Sequence, residues 1–224
     1  MAAMRSDGNA EPAAAGAGRE KGEAKSERTR RRILDAAALV LRRKGFAGAR
    51  LSDIARVAGM QAGSLYYHFS SREELVAEVM RTGVAEVQAR MQAGLAALPA
   101  DASHRDRLAT AIALHLTAVL EQSDYASATI KLFGQVPKDI QKQQLANERA
   151  YGKQWRQLLR DARDAGEIRG DLNLSAMRMM IVGALNWAVE WYHPEDGPAE
   201  DIARDFVEMV LHGLVPRGAA PGGR

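Results

Sequence analysis

Cysteine is absent from the 224-residue chain, which excludes disulfides, thiolate nucleophiles and Cys-ligated zinc together. No apolar run approaches the length of about 18 residues that a membrane-spanning helix needs. The N-terminal stretch is built of Ala, Gly, Glu and Arg and lacks the apolar segment of a secretory signal, so a cytoplasmic location is expected. The signatures of common enzyme classes are also missing: there is no phosphate-cradling glycine loop, no His-Glu-x-x-His and no Gly-x-Ser-x-Gly. The five histidines, at 68, 104, 115, 193 and 212, have no ligand spacing among themselves. No catalytic residue, metal or cofactor is therefore expected.

What is present is the composition of a chain that can bury a core, 46% hydrophobic and 26% charged. The net charge of +3 is modest, but it is unevenly placed. Through Ser70 there are 13 Lys and Arg against 7 Asp and Glu, and the remainder carries 18 against 21. A basic N-terminal third suits a polyanionic partner, although a solvated basic arm has the same composition.

Apolar residues recur at three- and four-residue spacings from about residue 26 onward, and no alternating strand pattern occurs. Nine helices are predicted. The first covers Ser26–Lys44 and stops at Gly45; short ones follow at Leu51–Ala58 and Gln61–Tyr67. Ser70-Ser71-Arg72-Glu73-Glu74 is a capping box that opens a fourth helix reaching Leu98. The rest are Arg105–Gln122, Tyr125–Phe133, Pro137–Ala165, Leu174–Tyr192 and Ala199–Val215. Residues 1–25 read as a disordered arm, 26–70 as one domain, 71–215 as a second and 216–224 as a loose tail.

The segment Leu51 to Phe69 carries the most information. Leu51, Ile54 and Ala58 face inward, small Ala55 admits a crossing helix, and Gly59 supplies the left-handed turn between the two short helices. Leu65 and Phe69 anchor the second of them, leaving Ala62, Gly63, Ser64, Tyr66, Tyr67 and His68 on its other face. Small and hydrogen-bonding groups there suit approach to a DNA groove. Taken singly, Tyr66 and Tyr67 also suit a core, and His68 a structural role.

The run from Ile33 to Leu75, with Gly45-Phe46, Asp53-Ile54-Ala55 and above all Leu65-Tyr66-Tyr67-His68-Phe69-Ser70, resembles the DNA-binding domain of the TetR family. Two departures stand out: Ala49-Arg50 replace the usual Thr pair, and Arg72 replaces the usual Lys. The resemblance implies an all-α fold, with an N-terminal three-helix helix-turn-helix domain and a six-helix ligand-binding and dimerisation domain. It implies contacts to double-stranded operator DNA from Arg50, Ser52, Ser64, Tyr66, Tyr67, His68 and Arg72. Arg28 and Arg30 to Arg32 would add non-specific attraction to phosphates.

The last two helices are broadly apolar, from Leu174 to Ala188 and from Ile202 to Leu214. In TetR-like proteins they pair with their copies in a homodimer; ordinary core packing is the other reading. Tyr125, Phe133, Met180, Trp187 and Trp191 are the candidate effector-binding residues, since aromatic and Met side chains suit an apolar pocket as well as plain packing. Gly183 to Pro194 is similar to the penultimate helix of TetR-type regulators of fatty-acid and sterol-fragment breakdown, whose effectors are acyl-CoA thioesters. An effector near Tyr125, Phe133, Trp187 and Trp191 would act by moving the fourth helix. Three other classes stay open: an enzyme, which turnover would reveal; an effector-less architectural protein, which would discriminate little among DNA sequences; and an activator.

Overall fold

The computed structural model describes the backbone of residues 13–212 and the side chains of 23–212 other than Gln122 and Asp196. The described residues form helices and turns, with no strand among them. The elements are α1 (Ala13–Gly48), α2 (Leu51–Val57), a 3-10 helix (Ala62–Tyr67), α3 (Arg72–Ala97) and α4 (His104–Thr117). A π-helical turn (Ala118–Gln122) continues α4, and α5 (Asp124–Leu132), α6 (Lys138–Asp164), α7 (Leu174–Trp191) and α8 (Ala199–His212) complete the order.

The first helix begins at Ala13, inside the segment expected to be disordered. Alanines at 13–15 and 17 carry the highest helix propensity of any residue, and Arg28 Nε and Thr29 Oγ1 donate to carbonyls one turn back. Residues 1–12, the tail 216–224 and the predicted last turn at 213–215 lie outside the described residues. Gly45, with φ +68°, breaks α1 where the sequence placed its stop. Ser71 caps α3 by accepting from Glu74 N at 3.0 Å. The reciprocal bond goes one residue further back than a standard box, from Ser70 N to Glu74 Oε2 at 2.7 Å.

Two hydrophobic clusters run end to end. The first joins Ile33, Ala37 and Leu41 of α1 with Ile54, Leu65, Phe69 and the α3 residues Leu75, Val79 and Met80. It also takes Tyr125, Ala128 and Leu132 from α5. The core beneath the helix-turn-helix thus extends past residue 70 into the body. The second cluster holds Val87 and Met91 of α3 with Ile112, Leu116, Trp155, Leu159, Ile181 and Leu185. α3 is therefore common to both.

Between its two buried stretches α3 carries Gly83, where it crosses α5. A Cβ there would stand 2.4 Å from Thr129 Oγ1 and 2.5 Å from the Tyr125 carbonyl. Thr129 Oγ1 is held by the carbonyls of Met80, at 3.2 Å, and Tyr125, at 2.7 Å, so it has no free direction of retreat. Gly83→Val is expected to force the helices apart and cost about 1–3 kcal/mol of stability, as overpacked cores do. Urea denaturation monitored by circular dichroism measures this, and an unchanged midpoint would contradict the close crossing.

Candidate DNA-reading face and effector cavity

Within the helix-turn-helix, Ala58 closes α2, Gly59 turns the chain at φ +64°, and Leu65 and Phe69 bury at 2% and 3% exposure. Because the second helix is a 3-10 turn, its side chains repeat every three residues. Tyr66 and Tyr67 are left 59% and 91% exposed, far more than core aromatics. Arg50 and Ser52 are exposed at the start of α2, whereas Ser64 and His68 are half-buried. Exposed Arg56 and Gln61 flank the turn and were not singled out from sequence, because neither belongs to the apolar frame that marked the motif.

The arginines are placed differently from expectation. Arg72 donates to the carbonyls of Phe46 and Ala49 and lies 4.1 Å over the Phe46 ring. Its guanidinium is drawn to the carbonyl-rich end of α1, the negative end of that helix. Arg30 pairs with Glu78, donates to the His68 carbonyl at 2.8 Å and covers Phe69 at 4.1 Å. Arg31 pairs with Asp35 and Glu86. These two tie the reading unit to α3 through ion pairs, whereas Arg28 and Arg32 are exposed.

The body contains a cavity of about 100 Å³ among α3 to α7. Val84, Val87, Val119, Ala126 and Ile130 supply its apolar wall, and His115, Tyr151, Trp155, Asn186, Glu148 and Arg178 its polar groups. None of the five residues expected to bind an effector lines it. Tyr125 is buried in the first cluster, its hydroxyl donating to Asp35 Oδ1 at 2.6 Å, and Phe133 packs on the same cluster. Met180, Trp187 and Trp191 face outward, 67%, 66% and 47% exposed. α7 is apolar on both sides, and its inner side is filled by Ile181, Leu185 and Ala188.

The polar floor is ordered. His115 Nδ1 lies 2.6 Å from the Tyr151 hydroxyl and its Nε2 2.9 Å from Asn186 Oδ1. An amide oxygen only accepts, so Nε2 carries the proton and Nδ1 accepts from Tyr151. Complete burial lowers the His115 pKa from 6.5 to about 4, against a smaller raising effect of the Asn186 bond. The π-turn that follows α4 brings Val119 to the cavity, its carbonyl accepting from the Ser127 hydroxyl. Groups of His and acidic residues able to hold a metal are absent among the described residues, and none of their helices is long and apolar enough to cross a membrane.

Comparison with known proteins gives two family matches: "Bacterial regulatory proteins, tetR family" over residues 33–79 and "Tetracyclin repressor-like, C-terminal domain" over 101–214. The HTH-type transcriptional repressor KstR2 of Rhodococcus jostii (strain RHA1) is 28% identical over 195 residues, covering 83% of this chain and 90% of that protein. Two solved structures share the fold. AibR, in complex with isovaleryl coenzyme A and operator DNA, aligns with TM-score 0.73 at 21% identity over 82% of this chain and 98% of that one. FadR from Bacillus subtilis, in complex with stearoyl-CoA, aligns with TM-score 0.70 at 21% identity over the same shares.

Two outcomes follow from this geometry. Tyr67→Ala is expected to weaken binding to a selected DNA duplex by about 1–3 kcal/mol with thermal stability unchanged; equal affinity by fluorescence anisotropy would remove Tyr67 from the reading face. Folding must keep His115 neutral, so its contribution is complete above pH 6.5 and is lost as pH falls toward 4. That amounts to about 3 kcal/mol. Urea titrations across this range should show the loss in wild type and a flatter profile in His115→Leu. Parallel profiles would contradict it.

Proposed function

The chain belongs to the TetR family of bacterial transcription regulators, and we propose that it is a repressor released from its operator when a small molecule fills the cavity. In this reading it acts in the cytoplasm as a homodimer on an imperfectly palindromic site, and the effector is an apolar small molecule or an acyl-CoA thioester. Exposed Tyr66 and Tyr67 with Arg50 and Ser52 face the DNA, while half-buried Ser64 and His68 contribute from the sides of the 3-10 helix. The complexes of AibR with isovaleryl coenzyme A and FadR with stearoyl-CoA support a thioester effector.

Dimerisation is supported by the outer side of α7. Ala176, Met180, Gly183, Ala184, Trp187 and Trp191, all exposed, recur at three- and four-residue spacings and so form one stripe. A stripe with two exposed tryptophans is the kind of patch that a partner covers. Small Gly183 and Ala184 allow a second helix to approach closely.

The observation that carries the regulatory reading is the double use of α5. Its Ala126, Thr129 and Ile130 line the cavity, while its Tyr125, Ala128 and Leu132 belong to the core of the DNA-reading unit. Just beyond α5, Gln135 Oε1 accepts from Phe46 N at 2.9 Å, at the bend that ends α1. A cavity of about 100 Å³ is smaller than the several hundred Å³ usual for ligand pockets. A ligand that fills it must displace part of the lining, and in this reading α5 moves and takes with it the support of α1. An effector that prefers the displaced form about a hundredfold shifts the balance by about 2.7 kcal/mol, enough to release an operator of moderate affinity.

Filling the cavity with side chains imitates this without knowledge of the ligand. Ala126→Phe does so from α5 and Val87→Phe from α3. Each is expected to keep its helical circular dichroism and to bind the wild-type's selected palindrome roughly tenfold or more weakly. Folded variants that both bind it like wild type would contradict the coupling.

A further inference from the structure

We propose that the effector is an anionic amphiphile whose charged oxygens are held by Arg178 at the outer end of the cavity, its apolar part lying against Val84, Val87, Val119 and Ile130. This rests on the reading of the cavity as the effector site and adds to it the chemistry of the ligand's head. Hydrogen-bond accounting in the lining leads there. The floor's acceptors are engaged: His115 Nδ1 takes the Tyr151 proton and Asn186 Oδ1 takes that of His115. The buried lining atoms short of a partner are N–H donors: Arg178 Nε has none, and Trp155 Nε1 has only the Tyr151 hydroxyl beside it. The Asn186 amide adds N–H groups beside them. Buried donors of this kind ask for an acceptor, so the lining fits an oxygen-rich ligand group.

Arg178 adds the sign of the charge. Arg30, Arg31, Arg42, Arg163 and Arg204 each pair with a carboxylate. Arg178 pairs with none among the described residues, and its guanidinium instead touches Met179 Sδ at 3.0 Å. It reaches the α6 backbone where Gly152 has no side chain: a Cβ there would already stand 3.6 Å from its Nη1. Half-buried Arg178 marks the outer end of the cavity, and fully buried Trp155 and His115 mark the inner one.

The opposing group is Glu148, also in the lining. It accepts from Gln144 Nε2 at 3.2 Å, and burial raises its pKa against the lowering effect of that bond. Glu148 bonds to Gln144 rather than to Arg178, and a guanidinium keeps its charge at any working pH. Arg178 is thus a positive charge in the lining with no carboxylate partner among the described residues. A carboxylate head or the phosphates of a coenzyme A thioester would both satisfy it, since either presents anionic oxygens to the planar N–H fork.

Isothermal titration of the full-length protein with hexanoate, hexanoyl-CoA, 1-hexanol and hexylammonium separates these chemistries. At least one of the two anions should bind roughly tenfold or more tightly than the alcohol and the amine. Arg178→Met should abolish that preference while leaving the alcohol's affinity and the melting temperature unchanged, and Arg178→Lys should keep part of it. Stronger binding of hexanoate assigns the head to a carboxylate, and stronger binding of hexanoyl-CoA assigns it to phosphates. Equal affinity for all four, tightest binding of hexylammonium, no binding of any, or a preference that survives in Arg178→Met would each overturn the proposal. Operator release is followed in parallel. If the alcohol binds as well as the anions and still releases DNA, the anion proposal fails and the effector cavity stands. If the anions bind through Arg178 without affecting the operator, the anion site stands and the regulatory reading fails.

Discussion

The crossing of α3 and α5 at Gly83 is the contact on which the rest of the molecule depends. The two backbones approach closely there, with the Thr129 side chain between them and its Oγ1 bonded to carbonyls on both helices. Above the crossing, Leu75 to Met80 complete the core of the DNA-reading unit; below it, Val87 and Met91 enter the core of the body. Close-packed interiors transmit displacement rather than absorb it. The two cores share α3 and are joined by α5, although family matches fall separately on residues 33–79 and 101–214.

Polar contacts reinforce the same line. Tyr125 reaches from α5 to Asp35 on α1, Arg31 joins Asp35 to Glu86 on α3, and Glu86 accepts from Ser123 at the start of α5. Burial, with Asp35 adding to it, raises the Tyr125 pKa well above that of a free phenol, so this hydroxyl remains a donor at neutral pH. On the far side of the reading unit Arg30 ties the His68 carbonyl to Glu78. The basic N-terminal third thus spends part of its charge on internal architecture, and Tyr66 and Tyr67 are left exposed on the reading helix.

The helix-turn-helix was legible in sequence because its determinants are local: Gly59 for the turn, and Leu65 and Phe69 four residues apart for the anchor. Helix order and the starts at Leu174 and Ala199 were legible because apolar residues recur there at three- and four-residue spacings. The internal partners of the arginines were not legible because a sequence displays charge without partners. The partner of Arg30 lies 48 residues away in Glu78, and that of Arg72 lies 26 residues away at the Phe46 carbonyl. Met180, Trp187 and Trp191 were assigned to a pocket because α7 is apolar on both sides, and periodicity cannot say which side turns inward. The cavity draws its lining from five helices and the π-turn, and apart from Trp155 its members are small, β-branched or polar residues that no local pattern marks. Its position was therefore open to the folded structure alone.

The central claim is that filling the cavity changes the spacing of the two DNA-reading helices in a dimer. The chain has no cysteine, so Val57→Cys, exposed at the end of α2, carries one spin label per protomer. Double electron–electron resonance then reads the distance between them. On operator DNA the labels should give one narrow distance, set by reading helices about 34 Å apart or a multiple of that spacing. In the Ala126→Phe background, free of DNA, the distribution should move by several ångströms from that of the unfilled protein. Identical distributions in the filled and unfilled proteins would contradict the account.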